Sequence, residues 1–327
     1  MSTSITTPTT TPQTPDTNTQ PNSPSPLPQE EIFHLSDGRS LGWKQYGQPT
    51  GLPTFFFHGS PSSRLEGLEW HAAALNTGVR LIALDRWGMG LSSLHPSPSL
   101  TAWPSDVLSL SKALGLSSFH VLGSSGGGPY ALACARELPA DVLLGTGVVS
   151  GVGPPAAGTR GAAWDRRVAF WVNRWVPGGV VEWMLNVGIG RMARGGSDAE
   201  WEAHGEKLIG TLSEEEKVYY KEHEGEKKAL VECYREAFRQ GSKGAVVDAK
   251  LVLKEWGFGL EDVKGKVKIW NGTGDVNVPV QSARWMADKI SAGGADVVLK
   301  EFEGDTHLST QVKHSGDILR DLIELRR

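Results

Sequence analysis

The sequence predicts an α/β protein: a mostly parallel, twisted sheet with helices on both faces, interrupted by an inserted helical segment. Three observations carry this reading. Short apolar runs alternate with stretches of helical spacing, first up to Val149 and again from Val267 onward. Between 154 and 244 the alternation stops and only helical spacing remains. The stretch VLGSSGGGPYALA (121–133) compresses a strand, a sharp turn and the start of a helix into one run, as parallel sheets require at their carboxyl edge.

Taken in order, Glu31 to Leu35 and Leu41 to Tyr46 alternate around Ser36-Asp37-Gly38-Arg39 and read as a hairpin with a D-G turn. Thr54-Phe55-Phe56-Phe57 is a continuous apolar strand running into His58-Gly59-Ser60-Pro61, with a helix expected near Arg64 to Asn76. Val79 to Leu84 is the next buried strand, Leu100 to Leu114 a helix stopped by Gly115, Ser118 to Leu122 the strand entering the turn, and Asp141 to Val149 another strand. In the helical segment, Ser213 and Glu216 form a capping-box signature. Strands at Val267 to Trp270 and Val297 to Phe302 then alternate with helices at about Pro279 to Ile290 and Leu308 to Leu325. The expected organisation is a disordered tail at 1–28, a core made of 29–153 and 245–327, and a helical lid inserted at 154–244.

With 327 residues, 39% apolar and 21% charged, the chain can build one large α/β domain plus an insertion. A formal net charge of -4 sets up no basic field for nucleic acid or anionic membrane, so nucleic acid is not expected as a partner. No run of roughly 18 apolar residues exists to span a bilayer, and stable membrane insertion is not expected. Residues 1–28 are almost wholly Thr, Ser, Pro, Gln and Asn, unlike a signal or transit peptide, so the cytoplasm is the expected location. Cys134 and Cys233 fit no metal or redox spacing and read as buried thiols. No cofactor or metal is expected, and nothing in the sequence bears on oligomeric state.

The chemistry centres on Ser125, which stands between Gly123 and Gly127 in a G-x-S-x-G elbow. A serine hydroxyl is a weak nucleophile at neutral pH and needs a base whose tautomer is fixed by an acid. Downstream, Asp275 follows one strand in a glycine-rich loop and His307 follows the next. Ser125, Asp275, His307 is the chain order that this elbow requires. An oxyanion needs two backbone donors; Gly126, after the nucleophile, supplies one, and Ser60 in the loop after Phe57 is placed to supply the other. Asp305 reads as a turn or cap residue, His58 and His120 as structural. His71, His95, His204, His223 and His314 belong to no constellation and are expected to be solvated.

These motifs together resemble the α/β-hydrolase superfamily, in its lid-bearing branch of esterases, lipases, peptidases, C–C hydrolases, epoxide hydrolases and dehalogenases. The resemblance covers roughly residues 30 to 325 and rests on FFFHGSPSS (55–63), LDRWGMGLS (84–92), LGSSGGGPYALA (122–133), GTGDVNVP (272–279) and EGDTHLS (303–309). It implies Ser125 as nucleophile, Asp275 as acid, His307 as base, and Ser60 with Gly126 as oxyanion hole. Two positions depart from the family pattern: Trp87 stands where proline is frequent, and Ser124 where relatives carry histidine or an aromatic. A serine at the elbow, where dehalogenases and epoxide hydrolases of this branch carry aspartate, points away from those two chemistries.

The expected activity is therefore hydrolysis of a small, largely apolar carboxylic ester through an acyl-enzyme. Amide, thioester or C–C cleavage and acyl transfer use the same constellation, and a hydrolase-fold ligand receptor with little turnover is the alternative of another class. The partner is a small-molecule substrate, and its apolar class is inferred from the tryptophans of the insertion, Trp164, Trp171, Trp175, Trp183 and Trp201, which either line a pocket or pack the insertion onto the sheet. Ser124, Trp87, Trp164 and Trp171 are the expected substrate contacts.

Overall fold

The computed structural model describes residues 31–325; the expected tail at 1–28 lies outside the described residues. Its frame is an eight-stranded sheet: β1 (Glu31–His34), β2 (Ser40–Gly47), β3 (Leu52–Phe57), β4 (Val79–Leu84), β5 (Phe119–Ser124), β6 (Leu143–Val149), β7 (Lys266–Gly272) and β8 (Asp296–Phe302). Their order is β1-β2-β4-β3-β5-β6-β7-β8. β2 runs antiparallel to both of its neighbours and every other pair is parallel. The D-G hairpin forms as its sequence dictates, with Gly38 at φ 85° closing β1 onto β2.

Strand alternation splits the apolar residues between two cores. Phe55 and Phe57 face a cluster with Trp103, Val121 and Ile269, whereas Phe56, between them, packs with Trp70, Leu122 and Trp270 on the opposite face. The first face is covered by α2 (Trp103–Ala113), α3 (Gly128–Glu137) and α11 (Val280–Ala292), the second by α1 (His71–Thr77) and α12 (His307–Ile323). Two helices begin later than their periodicity predicts. Arg64–Leu68 and Leu100–Ala102 wind as tight 3₁₀ turns ahead of α1 and α2, and Pro104 accounts for the second case because it suits only a first helical turn. Cys134 and Cys233 are free and buried.

Between β6 and β7 lie seven helices: α4 (Trp164–Trp175), α5 (Gly178–Val187), α6 (Ile189–Gly195), α7 (Asp198–Ile209), α8 (Glu214–Glu222), α9 (Glu224–Ala237) and α10 (Lys243–Val252). The Ser213–Glu216 capping box opens α8. α10 starts beside the expected end of the lid, residue 244, and runs on to Val252, so the helical insertion between β6 and β7 reaches further than its sequence spacing suggests and takes in Asp248. A Cβ on Gly244 would lie 2.2 Å from the Gly88 carbonyl oxygen, so this glycine lets α10 dock on the turn that follows β4. Among the described residues, no helix is long and apolar enough to cross a membrane.

Candidate active site

The elbow after β5 holds Ser125 at φ 49°, a left-handed conformation costing a non-glycine residue about 1–3 kcal/mol. Its flanking glycines are dictated by close backbone approach. A Cβ on Gly123 would lie 2.3 Å from the Gly127 carbonyl oxygen, and one on Gly127 would lie 2.0 Å from that of Phe57. Any larger residue at either position would force β3, β5 and the start of α3 apart. The turn thereby lifts Ser125 into a cavity that His307 also lines.

His307 is the first residue of α12, and its Nδ1 lies 2.7 Å from Asp275 Oδ2. Asp275 is itself held: its Oδ1 accepts from the backbone N–H groups of Asn277 and Val278, both at 2.8 Å. This geometry puts the imidazole proton on Nδ1 and leaves the Nε2 lone pair for the cavity. Burial pulls the pKa of His307 down, but the charge of Asp275 and the hydrogen bond to it, with Glu216 adding, outweigh burial and hold it above its ordinary value of 6.5. Ser125 and His307 make no direct hydrogen bond in this state.

The loop after β3 brings Ser60 against Gly126, where a Cβ would meet Ser60 Oγ at 2.1 Å and Ser60 N at 3.3 Å. The N–H of Gly59 is taken by the Glu66 carboxylate, at 3.1 and 2.9 Å. The N–H groups of Ser60 and Gly126 donate to no protein acceptor in these loops among the described residues. His58 is fully buried and bonds the Gly59 carbonyl through Nδ1 while Nε2 accepts from Arg86 N; burial and the Arg86 charge hold it well below its ordinary pKa, as a neutral structural residue.

The cavity has a volume of about 810 Å³ and mostly apolar walls, including Phe170, Val172, Leu185 and Leu230, with Ser60, Ser125, Gly126 and His307 at its base. None of the four residues expected to contact substrate lines it. Ser124 is buried and donates to Gln311 Oε1 at 2.8 Å. Trp87 is buried too, edge-on to Trp103, with its indole N–H given to Asp106 at 2.8 Å. Trp164 and Trp171 point outward, because the side of α4 that turns inward carries Arg166, Ala169, Phe170 and Val172, with Val168 at the edge between the two sides. Of the five tryptophans in the insertion only Trp201 is buried, so most neither line the cavity nor pack onto the sheet. His314 also departs from expectation: it pairs with Asp305 at 2.6 Å and stacks on Phe302. Asp305 further accepts from the side chains of Ser309 and Lys313, whereas the cap of α12 is Thr306, whose hydroxyl accepts from Ser309 N.

The model of the alpha/beta hydrolase family matches residues 55–314. This chain belongs to the alpha/beta hydrolase family. A non-heme chloroperoxidase of Streptomyces lividans is 37% identical over 122 residues, 36% of this chain and 44% of that protein. A proline iminopeptidase of Clostridium botulinum is 34% identical over 106 residues, 30% of this chain and 36% of that protein. The match thus spans less than half the length of either relative. Among solved structures, an esterase from Exiguobacterium antarcticum superposes with a TM-score of 0.63 at 17% identity, over 90% of this chain and 97% of that one. A thermophilic esterase from Thermogutta terrifontis gives 0.60 at 21% identity, over 92% and 100%. At such identities the likeness is one of fold.

Within this α/β-hydrolase fold, two residues of the insertion reach the site in roles that the sequence does not announce. Asp248 on α10 is buried and accepts from Arg86 Nε at 2.8 Å, Arg86 Nη2 at 2.9 Å, Tyr130 Oη at 2.7 Å and Ser60 Oγ at 2.5 Å. It therefore ties the insertion to the very residue beside Gly126. Glu216 on α8 accepts from Thr306 Oγ1 and from Leu308 N at 3.3 Å, bracketing His307 on both sides. Among the described residues, no group of three or more His, Cys, Asp or Glu is arranged to hold a metal ion.

Proposed function

We propose that this chain is a serine hydrolase acting on a small, largely apolar carboxylic ester, with Ser125 as nucleophile, His307 as base, Asp275 as orienting acid and the helical insertion as lid. The observation that carries this reading is the 2.7 Å Asp275–His307 contact beside a cavity whose base presents Ser125 at positive φ. As Ser125 Oγ attacks the ester carbonyl, its proton passes to His307 Nε2, and Asp275 stabilises the imidazolium formed. The Ser60 and Gly126 N–H groups receive the oxyanion. Collapse expels the alcohol, which takes the proton from His307, and water repeats the sequence to release the acid and restore Ser125.

Apolar walls suit an uncharged acyl or alkyl group, and the esterase names of the structural relatives agree with this choice. Imino-peptide cleavage is the second reading. It is favoured by relatives named proline iminopeptidase and by the carboxylates of Asp165 and Glu216 on the cavity wall, toward which a substrate ammonium group can point.

A panel of p-nitrophenyl esters of increasing acyl length beside proline p-nitroanilide tests both readings. Ester turnover is expected, falling by about 10⁴-fold or more in Ser125→Ala. Turnover that survives in Ser125→Ala defeats the assignment, and preference for the anilide shifts it to the second reading.

A further inference from the structure

The outward face of α4 and α5 is apolar to an unusual degree. Trp164, Val168, Trp171 and Trp175 recur at i, i+4, i+7 and i+11 along α4, and Val180, Trp183, Met184 and Val187 at i, i+3, i+4 and i+7 along α5. All eight are between 47% and 78% exposed. The four tryptophans leave bare apolar area on the order of 500 Å² in all, shared between two helices that both pack against α10. The stripes converge on the cavity, since Val168 of one and Met184 of the other also line it. The tail at 1–28 offers little to cover them, with Met1, Ile5 and Leu27 as its apolar side chains apart from proline.

Charge identifies the occupant. From 158 to 196 the chain carries six arginines, Arg160, Arg166, Arg167, Arg174, Arg191 and Arg194, against Asp165 and Glu182, a formal +4 within a protein of -4 overall. The whole-chain charge conceals this local excess. Arg167 and Arg174 lie one heptad apart along one flank of the α4 stripe, and Arg174 also sits over the Trp175 ring at 5.6 Å. Arg166 lines the cavity and donates to Asn277, and Arg194 donates to Asn186, so Arg167 and Arg174 beside the stripe are the charges the outer face presents. A second copy of this segment would bring those like charges together, whereas an anionic surface satisfies both them and the indoles. Tryptophan and arginine on an amphipathic helix are the chemistry of the lipid headgroup boundary.

We propose that the α4–α5 face docks this protein on anionic phospholipid bilayers, lying in the headgroup plane with the cavity rim against the membrane. Neither helix spans the bilayer in this arrangement. Docking does not depend on the hydrolase reading.

Flotation with vesicles of mixed phosphatidylcholine and phosphatidylserine, and with vesicles of phosphatidylcholine alone, tests it. Full-length protein and Ser125→Ala should both bind the mixed vesicles, at least roughly tenfold more tightly than phosphatidylcholine alone, and added salt should weaken binding. Joint Trp171→Ser and Trp183→Ser replacement should abolish flotation with an unchanged circular dichroism spectrum, and Arg167→Gln with Arg174→Gln should weaken it roughly tenfold. The arginine pair keeps the test open should the tryptophan variant fold poorly. No binding, equal binding to both vesicles, or a dimer in sedimentation that the tryptophan substitutions dissolve, overturns the proposal.

Discussion

The two sides of the helical insertion solve opposite problems. Where α8, α9 and α10 meet the core, buried charges do the joining: Asp248 to Arg86, Glu236 to the wholly buried Arg64, which also holds Asp85, and Glu216 to the residues flanking His307. On α4 and α5 tryptophans face outward instead. The inner side thus demands geometry, because a carboxylate taken out of water must find all its donors. The outer side demands only area and charge, and tolerates change. Position on the insertion, rather than residue type, decides what a substitution costs.

Asp248→Ala should break this comparison hardest. It leaves the buried Arg86 charge without its carboxylate, with only the carbonyls of His58 and Gly59 and the Ser60 hydroxyl to accept from it, and should cost about 3–5 kcal/mol, a fall on the order of 10 °C in thermal midpoint by calorimetry. A midpoint within a degree or so of wild type would show the joint to be ornamental. Glu216→Gln should leave the fold intact but act through His307. As the proposed base, His307 must be neutral, so kcat/KM should rise with pH through a midpoint above 6.5. Loss of the Glu216 charge removes one of the influences that raise His307, and the midpoint should move down. An unmoved or rising midpoint contradicts the coupling.

Glu69 gives a smaller effect along the same seam. Burial, together with the carboxylates of Glu66 and Glu226, pushes its pKa up to about 8 from an ordinary 4.5. The folded state therefore binds a proton that the unfolded chain has lost, and its stabilising contribution, full at low pH, disappears as pH rises through about 8. Thermal midpoints measured across this window should fall for wild type and flatten for Glu69→Gln. Trp171→Ser marks the low end, changing stability by less than about 0.5 kcal/mol in urea denaturation.

Much of the site is legible in the sequence because its constraints are local. Glycines at 123 and 127 answer to backbone oxygens within reach of a single Cβ, and Asp275 and His307 stand in loops directly after strands. Asp248 is not legible in this way: its partners Arg86 and Ser60 are 162 and 188 residues away, and nothing beside it in the chain announces them. Glu216 was concealed by having an explanation already, since a capping box accounts fully for a glutamate at that position. The tryptophans mark a third limit. Helical spacing places Trp164, Trp171 and Trp175 on one stripe but cannot say which way the stripe faces.

The role given to Ser125 is tested most directly by its covalent chemistry. Treatment with a fluorophosphonate, followed by intact-mass measurement and peptide mapping, should give one adduct per chain, on the peptide containing Ser125. Ser125→Ala should give none, and acid unfolding before treatment should abolish labelling of the wild type. An adduct on Ser124 or any other residue, or a folded wild-type protein that cleaves esters without being labelled, would contradict the account.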